Sequence, residues 1–215
     1  MKPENIDYSL CLVTDRGLSR GRTTQQIVEA ALRGGVTCVQ LREKTCSTRE
    51  FITQALFIKD HLKRHNVPLI INDRVDIALA VNADGVHLGQ SDMPIEMAKA
   101  ILKDSMIIGI SAESLKNAVQ AEKDGADYIG VGPIYATSTK TDTASPFGLE
   151  GLREIRRSVK IPLVGISGLN RENAGEVINN GADGVAVVSA IVAADDPEKA
   201  TRELKKIIEQ ARLLQ

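Results

Sequence analysis

Residues 33–42 read RGGVTCVQLR, and the same kind of phrase returns three times: NADGVHLGQ at 82–90, DGADYIGVG at 124–132 and NGADGVAVVS at 180–189. Each phrase sets a small turn-forming residue at the end of a helical pattern and then runs into a short, β-branched strand. A phrase recurring roughly every fifty residues implies two β/α units per repeat in a closed array. Four further apolar runs lie between the phrases: YSLCLVTD at 8–15, PLIIND at 68–73, MIIGISA at 106–112 and PLVGIS at 162–167. Interleaved, the two sets predict eight strands.

Helical patterns follow the strands. In TTQQIVEAALRGG the apolar residues Ile27, Val28, Ala31 and Leu32 share one face, and glycines end the segment. STREFITQALFIKDHLKRH offers Ser47 or Thr48 as a cap and repeats its apolar face through Phe51, Ala55, Ile58 and Leu62. IEMAKAILK, LKNAVQAEKDG, GLREIRRSV and RENAGEVINNG read in the same way. The last pattern begins with Pro197, a residue suited to a first helical turn, and is expected to close the array. Strands alternating with helices imply a parallel sheet covered on both faces. The fold class is therefore α/β, and eight such units fit a single (β/α)₈ TIM barrel spanning residues 1–215. An open doubly wound sheet is the alternative. It usually carries GxGxxG after its first strand, where this chain reads LVTDRGLSRG.

Composition narrows the partners. The chain has 27 basic and 28 acidic residues, a net charge of −1. That balance argues against a nucleic-acid partner, while leaving room for a local cationic cluster that grips a small anion. Cys11, Cys38 and Cys46 form no CxxC pair, which suggests reduced thiols in a cytoplasmic protein. Cys11 and Cys38 sit in apolar runs and read as buried; Cys46 falls in a loop. The first residues, MKPENIDYSL, lack the apolar core of a secretory signal, and no run is long enough to span a bilayer. Association into a homo-oligomer stays open.

One connection breaks the rhythm. Residues 136–146, ATSTKTDTASP, are polar and without helical period, and a connection of that length in a barrel is expected to serve binding. Elsewhere the polar residues gather at strand ends: Thr14 and Asp15; Gln40, Leu41, Arg42, Glu43 and Lys44; Asn72 and Asp73; His87, Gln90 and Asp92; Ser111; Thr137, Ser138, Thr139 and Lys140; Gly168; and Val188 with Ser189. In a barrel these positions converge on one rim, where this fold builds its active sites. Arg42, Lys44 and Lys140 give the rim an anion-binding character, supported by the hydroxyls of Thr137, Ser138 and Thr139.

Asp73 and Asp92 have two readings. Each stands where it would cap a following helix. Together, beside cations, they also fit Mg²⁺ held by two carboxylates and substrate phosphate oxygens. Gly168 and the Val188–Ser189 backbone likewise read either as turns or as a second anion site after strands seven and eight. His61 and His65 lack the glutamate of a zinc motif and belong on an outer helix. His87, inside GVHLG, reads as a hydrogen-bonded core histidine with a substrate contact as the alternative.

The segments LVTDR, VQLREK, INDRVDIALAVNADGVHLGQSDMP, GADYIGVGPIYATSTK, PFGLEGL and NGADGVAVVSAI, in this order and spacing, resemble thiamine phosphate synthases over nearly the whole chain. The resemblance implies a transferase that joins 4-amino-5-hydroxymethyl-2-methylpyrimidine diphosphate to 4-methyl-5-(2-hydroxyethyl)thiazole phosphate and releases pyrophosphate. It implies that Gln40, Leu41, Arg42, Glu43, Lys44, Asn72, Ser111 and Lys140 hold the pyrimidine diphosphate, with Ser111 and Lys140 in catalytic roles. Asp73 and Asp92 would hold Mg²⁺. Thr137, Ser138, Thr139, Gly168, Val188 and Ser189 would receive the thiazole phosphate. The two phosphorylated small molecules are then the partners.

The chain departs from that pattern at three places: Cys11 stands where a tyrosine is common, Ser167 replaces the first of two glycines, and Glu113 differs from the usual residue. Two rival readings keep the barrel. One is a thiazole tautomerase-like isomerase, which has a histidine after the fifth strand where this chain reads ISAES. The other is a non-catalytic barrel that binds thiazole phosphate.

Overall fold

The predicted alternation is realised in the computed structural model, which describes residues 6–137 and 146–213. The strands are β1 (Leu10–Val13), β2 (Cys38–Leu41), β3 (Leu69–Asn72), β4 (Gly85–Leu88), β5 (Ile107–Ala112), β6 (Tyr128–Val131), β7 (Leu163–Gly165) and β8 (Gly184–Val187). Among the helices, α1 (Thr24–Gly34), α2 (Thr48–Lys63), α3 (Val75–Val81), α4 (Ile95–Ile101) and α5 (Leu115–Asp124) follow the first five strands. The second half carries α6 (Gly148–Ser158), α7 (Ala174–Asn179), α8 (Ser189–Val192) and α9 (Pro197–Arg212). All strands run parallel, each pairs with the next, and β8 returns to β1 to close the barrel.

Local chemistry sets the helix ends. Thr23 and Ser47 accept from the backbone N–H three residues on, and Gln26 and Glu50 reach back to cap in return. Gly35 and Gly125 end α1 and α5 in the left-handed region, at φ 90° and 86°. The helix α8 was not anticipated, because four residues carry no readable period.

Strand alternation divides the interior into two cores. Leu10, Leu12, Val39, Leu41, Leu69 and Ile71 point outward and pack under the helices. Their inward neighbours form a smaller cluster of Tyr8, Cys11, Cys38, Ile70, Ile107, Tyr128 and Val164. Both cysteines read as buried are buried, and Cys46 is half-buried. The β1–β8 seam is reinforced from outside. The Arg22 guanidinium donates to the carbonyls of Val192 (3.0 Å) and Ala194 (2.7 Å) at the end of α8. Among the described residues no helix is long and apolar enough to cross a membrane.

Candidate active site at the C-terminal rim

A cavity of about 520 Å³ opens at the C-terminal ends of the strands and reaches down to Cys11, Cys38 and Tyr128 inside the barrel. Its wall includes Gln40, Arg42, Lys44, Asn72, Asp73 and Asp92. Ser111, Thr137, Gly168, Val188 and Ser189 complete the predicted set on the same wall. Leu41 and Glu43 are the exceptions. Strand alternation turns the Leu41 side chain into the outer core, and Glu43 is not among the residues on the cavity wall. Ser138, Thr139 and Lys140 lie outside the described residues.

The cationic side is built on β1 and β2. Asp15 Oδ2 pairs with Arg42 Nη1 at 2.7 Å, while Asp15 Oδ1 accepts from Leu18 N at the turn that follows. The Thr14 hydroxyl accepts from Arg42 N at 2.9 Å. The guanidinium is thus fixed at one edge, and among the described residues no other side-chain hydrogen bond of Arg42 is made, leaving donors for an anion. In the sequence Thr14 and Asp15 stand out only as strand-end residues. Nothing in their spacing marks the pairing, which is set by β1 lying beside β2.

Asp73 does not cap α3. It sits at φ 64°, the left-handed region, with its N–H on the His87 carbonyl (2.8 Å). The Asn72 amide meets its Oδ1, and Lys44 Nζ lies 2.5 Å from its Oδ2. Asp92 does not cap α4 either: that cap carries no side-chain bond, and Asp92 Oδ2 accepts from Gly89 N at 2.6 Å. Burial raises the Asp92 carboxyl from its ordinary value, and the Asp73 carboxylate beside it pushes the same way. Two acidic groups held against one another at a cavity wall favour a cation between them. Among the described residues no cluster of three or more His, Cys, Asp or Glu side chains could hold a metal unaided.

Below the carboxylates runs a polar chain. Ser111 Oγ lies 2.9 Å from His87 Nε2, and His87 Nδ1 lies 2.8 Å from the Tyr128 hydroxyl. His87 is therefore a buried, hydrogen-bonded histidine that also lines the cavity, so both sequence readings of it stay in place. Tyr128 escaped the sequence reading; its signal was an aromatic residue at an inward position of β6. Burial pushes His87 down to about 4 from 6.5, against the opposing pull of the Asp73 carboxylate. Its folded value is depressed, so its contribution to stability is fully present above pH 6.5 and is lost as pH falls towards 4. That contribution is on the order of 3 kcal/mol. Unfolding measured by urea across that range is expected to show a shallower loss for His87→Gln than for the parent chain; parallel profiles would refute the assignment.

The opposite side is shaped by backbone. Gly168 has φ 71°, and a Cβ there would stand 2.7 Å from the Ala136 carbonyl, so the position requires glycine. Ser167, in place of a glycine, adopts φ 71° as well. The N–H groups of Ile134 and Tyr135 bond the carbonyls of Ile166 (3.1 Å) and Ser167 (3.3 Å), tying the loop after β6 to the loop after β7. Val188 and Ser189 begin α8 at the same edge. Glu113 also reaches the cavity wall. His61 and His65 lie away from it, at the C-terminal end of the outer helix α2.

Residues 10–191 match the sequence profile of the family described as thiamine monophosphate synthase. The thiamine-phosphate synthase of Chloroflexus aurantiacus is 55% identical over 203 residues, covering 94% of each chain. That of Clostridium novyi is 52% identical over 203 residues, covering 94% of this chain and 100% of its own. The solved thiamine phosphate pyrophosphorylase from Pyrococcus furiosus has 46% identity and a TM-score of 0.89, over 96% of this chain and 98% of that one. With the barrel and its rim in place, these similarities show that the chain belongs to the thiamine monophosphate synthase family.

Proposed function

We infer that this enzyme, a transferase, condenses 4-amino-5-hydroxymethyl-2-methylpyrimidine diphosphate with 4-methyl-5-(2-hydroxyethyl)thiazole phosphate in the rim cavity. The observation that carries the reading is the juxtaposition of a fixed arginine, Lys44 and two carboxylates on one cavity wall. That donor set fits a divalent cation completed by substrate oxygens and water. Asp73 and Asp92 would hold Mg²⁺. When bound, the ion supplies positive charge to the leaving diphosphate.

Arg42 and Lys44 bind the diphosphate and stabilise the charge that grows on it as the methylene C–O bond breaks and its electron pair leaves with pyrophosphate. The electron-rich aminopyrimidine carries the resulting cation, with Gln40, Asn72 and Ser111 around it. Gly168, Val188, Ser189 and Thr137 place the thiazole phosphate so that its ring nitrogen donates a lone pair to the methylene carbon. A new C–N bond completes thiamine phosphate. No protein nucleophile enters the sequence; positioning supplies much of the rate. The three free thiols suit a cytoplasmic setting.

Purified protein supplied with both substrates and Mg²⁺ is expected to release thiamine phosphate and pyrophosphate in equal amounts. A chelator is expected to stop the reaction and added Mg²⁺ to restore it. No product, or product indifferent to chelation, would overturn the reading.

A further inference from the structure

The chain Tyr128–His87–Ser111 has a direction. Among the described residues the Tyr128 hydroxyl has one hydrogen-bond partner, His87 Nδ1 at 2.8 Å, and the ring of Tyr128 is buried. A neutral imidazole carries one N–H, on Nδ1 or on Nε2. With the proton on Nδ1, the phenol would have to accept, and its own O–H, on a side chain only 3% exposed at the foot of the cavity, would have no protein acceptor among the described residues. With the proton on Nε2, Tyr128 donates to Nδ1 and every buried donor is used. Nε2–H then donates to Ser111 Oγ at 2.9 Å, so the serine hydroxyl proton turns away from the histidine. Ser111 lies on the cavity wall, and its hydroxyl has no other protein partner among the described residues.

The strands make room for this arrangement. A Cβ at Gly109 would stand 2.2 Å from Tyr128 Cζ, and a Cβ at Gly130 would stand 2.9 Å from His87 Cε1. Two glycines inside strands, where glycine is ordinarily unfavourable, clear the path through the barrel. Tyr8 packs its ring 4.6 Å from that of Tyr128 and holds the phenol from below.

We propose that Tyr128 fixes His87 in its Nε2–H form, and that Ser111 thereby presents a hydrogen-bond donor to the substrate and selects for an acceptor ring nitrogen of the aminopyrimidine. The recognition half rests on the pyrimidine diphosphate reading given above; the tautomer half does not. All three side chains line the cavity; in this proposal His87 and Tyr128 act through Ser111 as positioning residues, and Ser111 makes the contact with substrate. Polarity set from inside the core distinguishes a ring nitrogen from an isosteric C–H, which two freely rotating hydroxyls would not do.

The test has two arms. Long-range ¹⁵N–¹H correlation spectra of the ligand-free enzyme are expected to show His87 protonated on Nε2, and Tyr128→Phe to abolish that preference. A ring protonated on Nδ1 in the parent enzyme would overturn the proposal. In the second arm, calorimetry compares the pyrimidine diphosphate with its two analogues in which one ring nitrogen is replaced by C–H. One analogue is expected to bind about tenfold more weakly to the parent enzyme, the worth of one good hydrogen bond. Ser111→Ala is expected to bind that analogue and the parent ligand alike, and His87→Gln, which keeps an N–H near the serine, to retain most of the discrimination. Equal binding of all three ligands by the parent enzyme, or discrimination undiminished in Ser111→Ala, would overturn the recognition step. Absence of binding by the parent diphosphate would instead overturn the reading of the site, and the spectra would still decide the tautomer.

Discussion

Asp73→Asn is expected to lower the turnover of thiamine phosphate formation by about 10²–10³-fold, the scale reached when one preorganised electrostatic group is removed from a charge-developing step. Asparagine is the right substitution because the backbone at this position has φ 64°. Asn tolerates that conformation, whereas alanine would add strain and confuse stability with chemistry. The ion pair lost with the charge joins Asp73 to a Lys44 whose side chain is 52% exposed, so its contribution to stability is small. The variant is therefore expected to melt within a few degrees of the parent while needing far more Mg²⁺ for half-maximal rate. Steady-state kinetics over a Mg²⁺ series, alongside thermal melting, checks both. Parent-like turnover at unchanged Mg²⁺ demand would remove Asp73 from the site.

Gly184→Ala is expected to cost about 3 kcal/mol or more, at the upper end of what overpacking does, and to lower Tm by about 10 °C. A Cβ there would stand 1.8 Å from the Tyr8 carbonyl oxygen and 2.6 Å from its carbon. Backbone atoms cannot swing aside as a long side chain can. Relief would require β8 to part from the segment that leads into β1, where Val185 N bonds Ser9 O at 3.1 Å. Gly175 provides the contrast, since its Cβ would come no closer than 3.4 Å to another residue and it lies within α7. Gly175→Ala is expected to stabilise by about 0.5–1 kcal/mol through helix propensity. Chemical denaturation of the two variants measures the difference, and similar stabilities would contradict the packing argument.

The strands were legible in the sequence because turn residues and short β-branched runs announce them one by one. The rim was legible because parallel strands in a barrel all end on the same side, so polar residues after each run must meet. Gln40 faces inward and Leu41 outward, and Arg42 and Lys44 beyond the strand end reach the cavity wall while Glu43 does not. The helix-cap readings of Asp73 and Asp92 were plausible by spacing, and no spacing reveals a left-handed φ or a carboxylate turned back onto Gly89 N. Tyr128 was hidden for a different reason: its role depends on β5 standing between β4 and β6, a neighbourhood that appears only when the barrel is assembled.

The seam between β1 and β8 has a consequence for how the molecule comes into being. Register there joins Cys11 to Ala186, and Arg22 grips the end of α8, so nearly the whole chain lies between the two halves of the contact. Closing so long a loop is unfavourable until the strands between are already in place, which puts the seam late in folding. The edge formed by Val188 and Ser189 belongs to that seam, whereas Arg42 and Asp73 stand on neighbouring early strands. A chain still emerging from synthesis can therefore assemble the cationic side before the edge opposite it exists, and only the finished ring can hold two substrates at once.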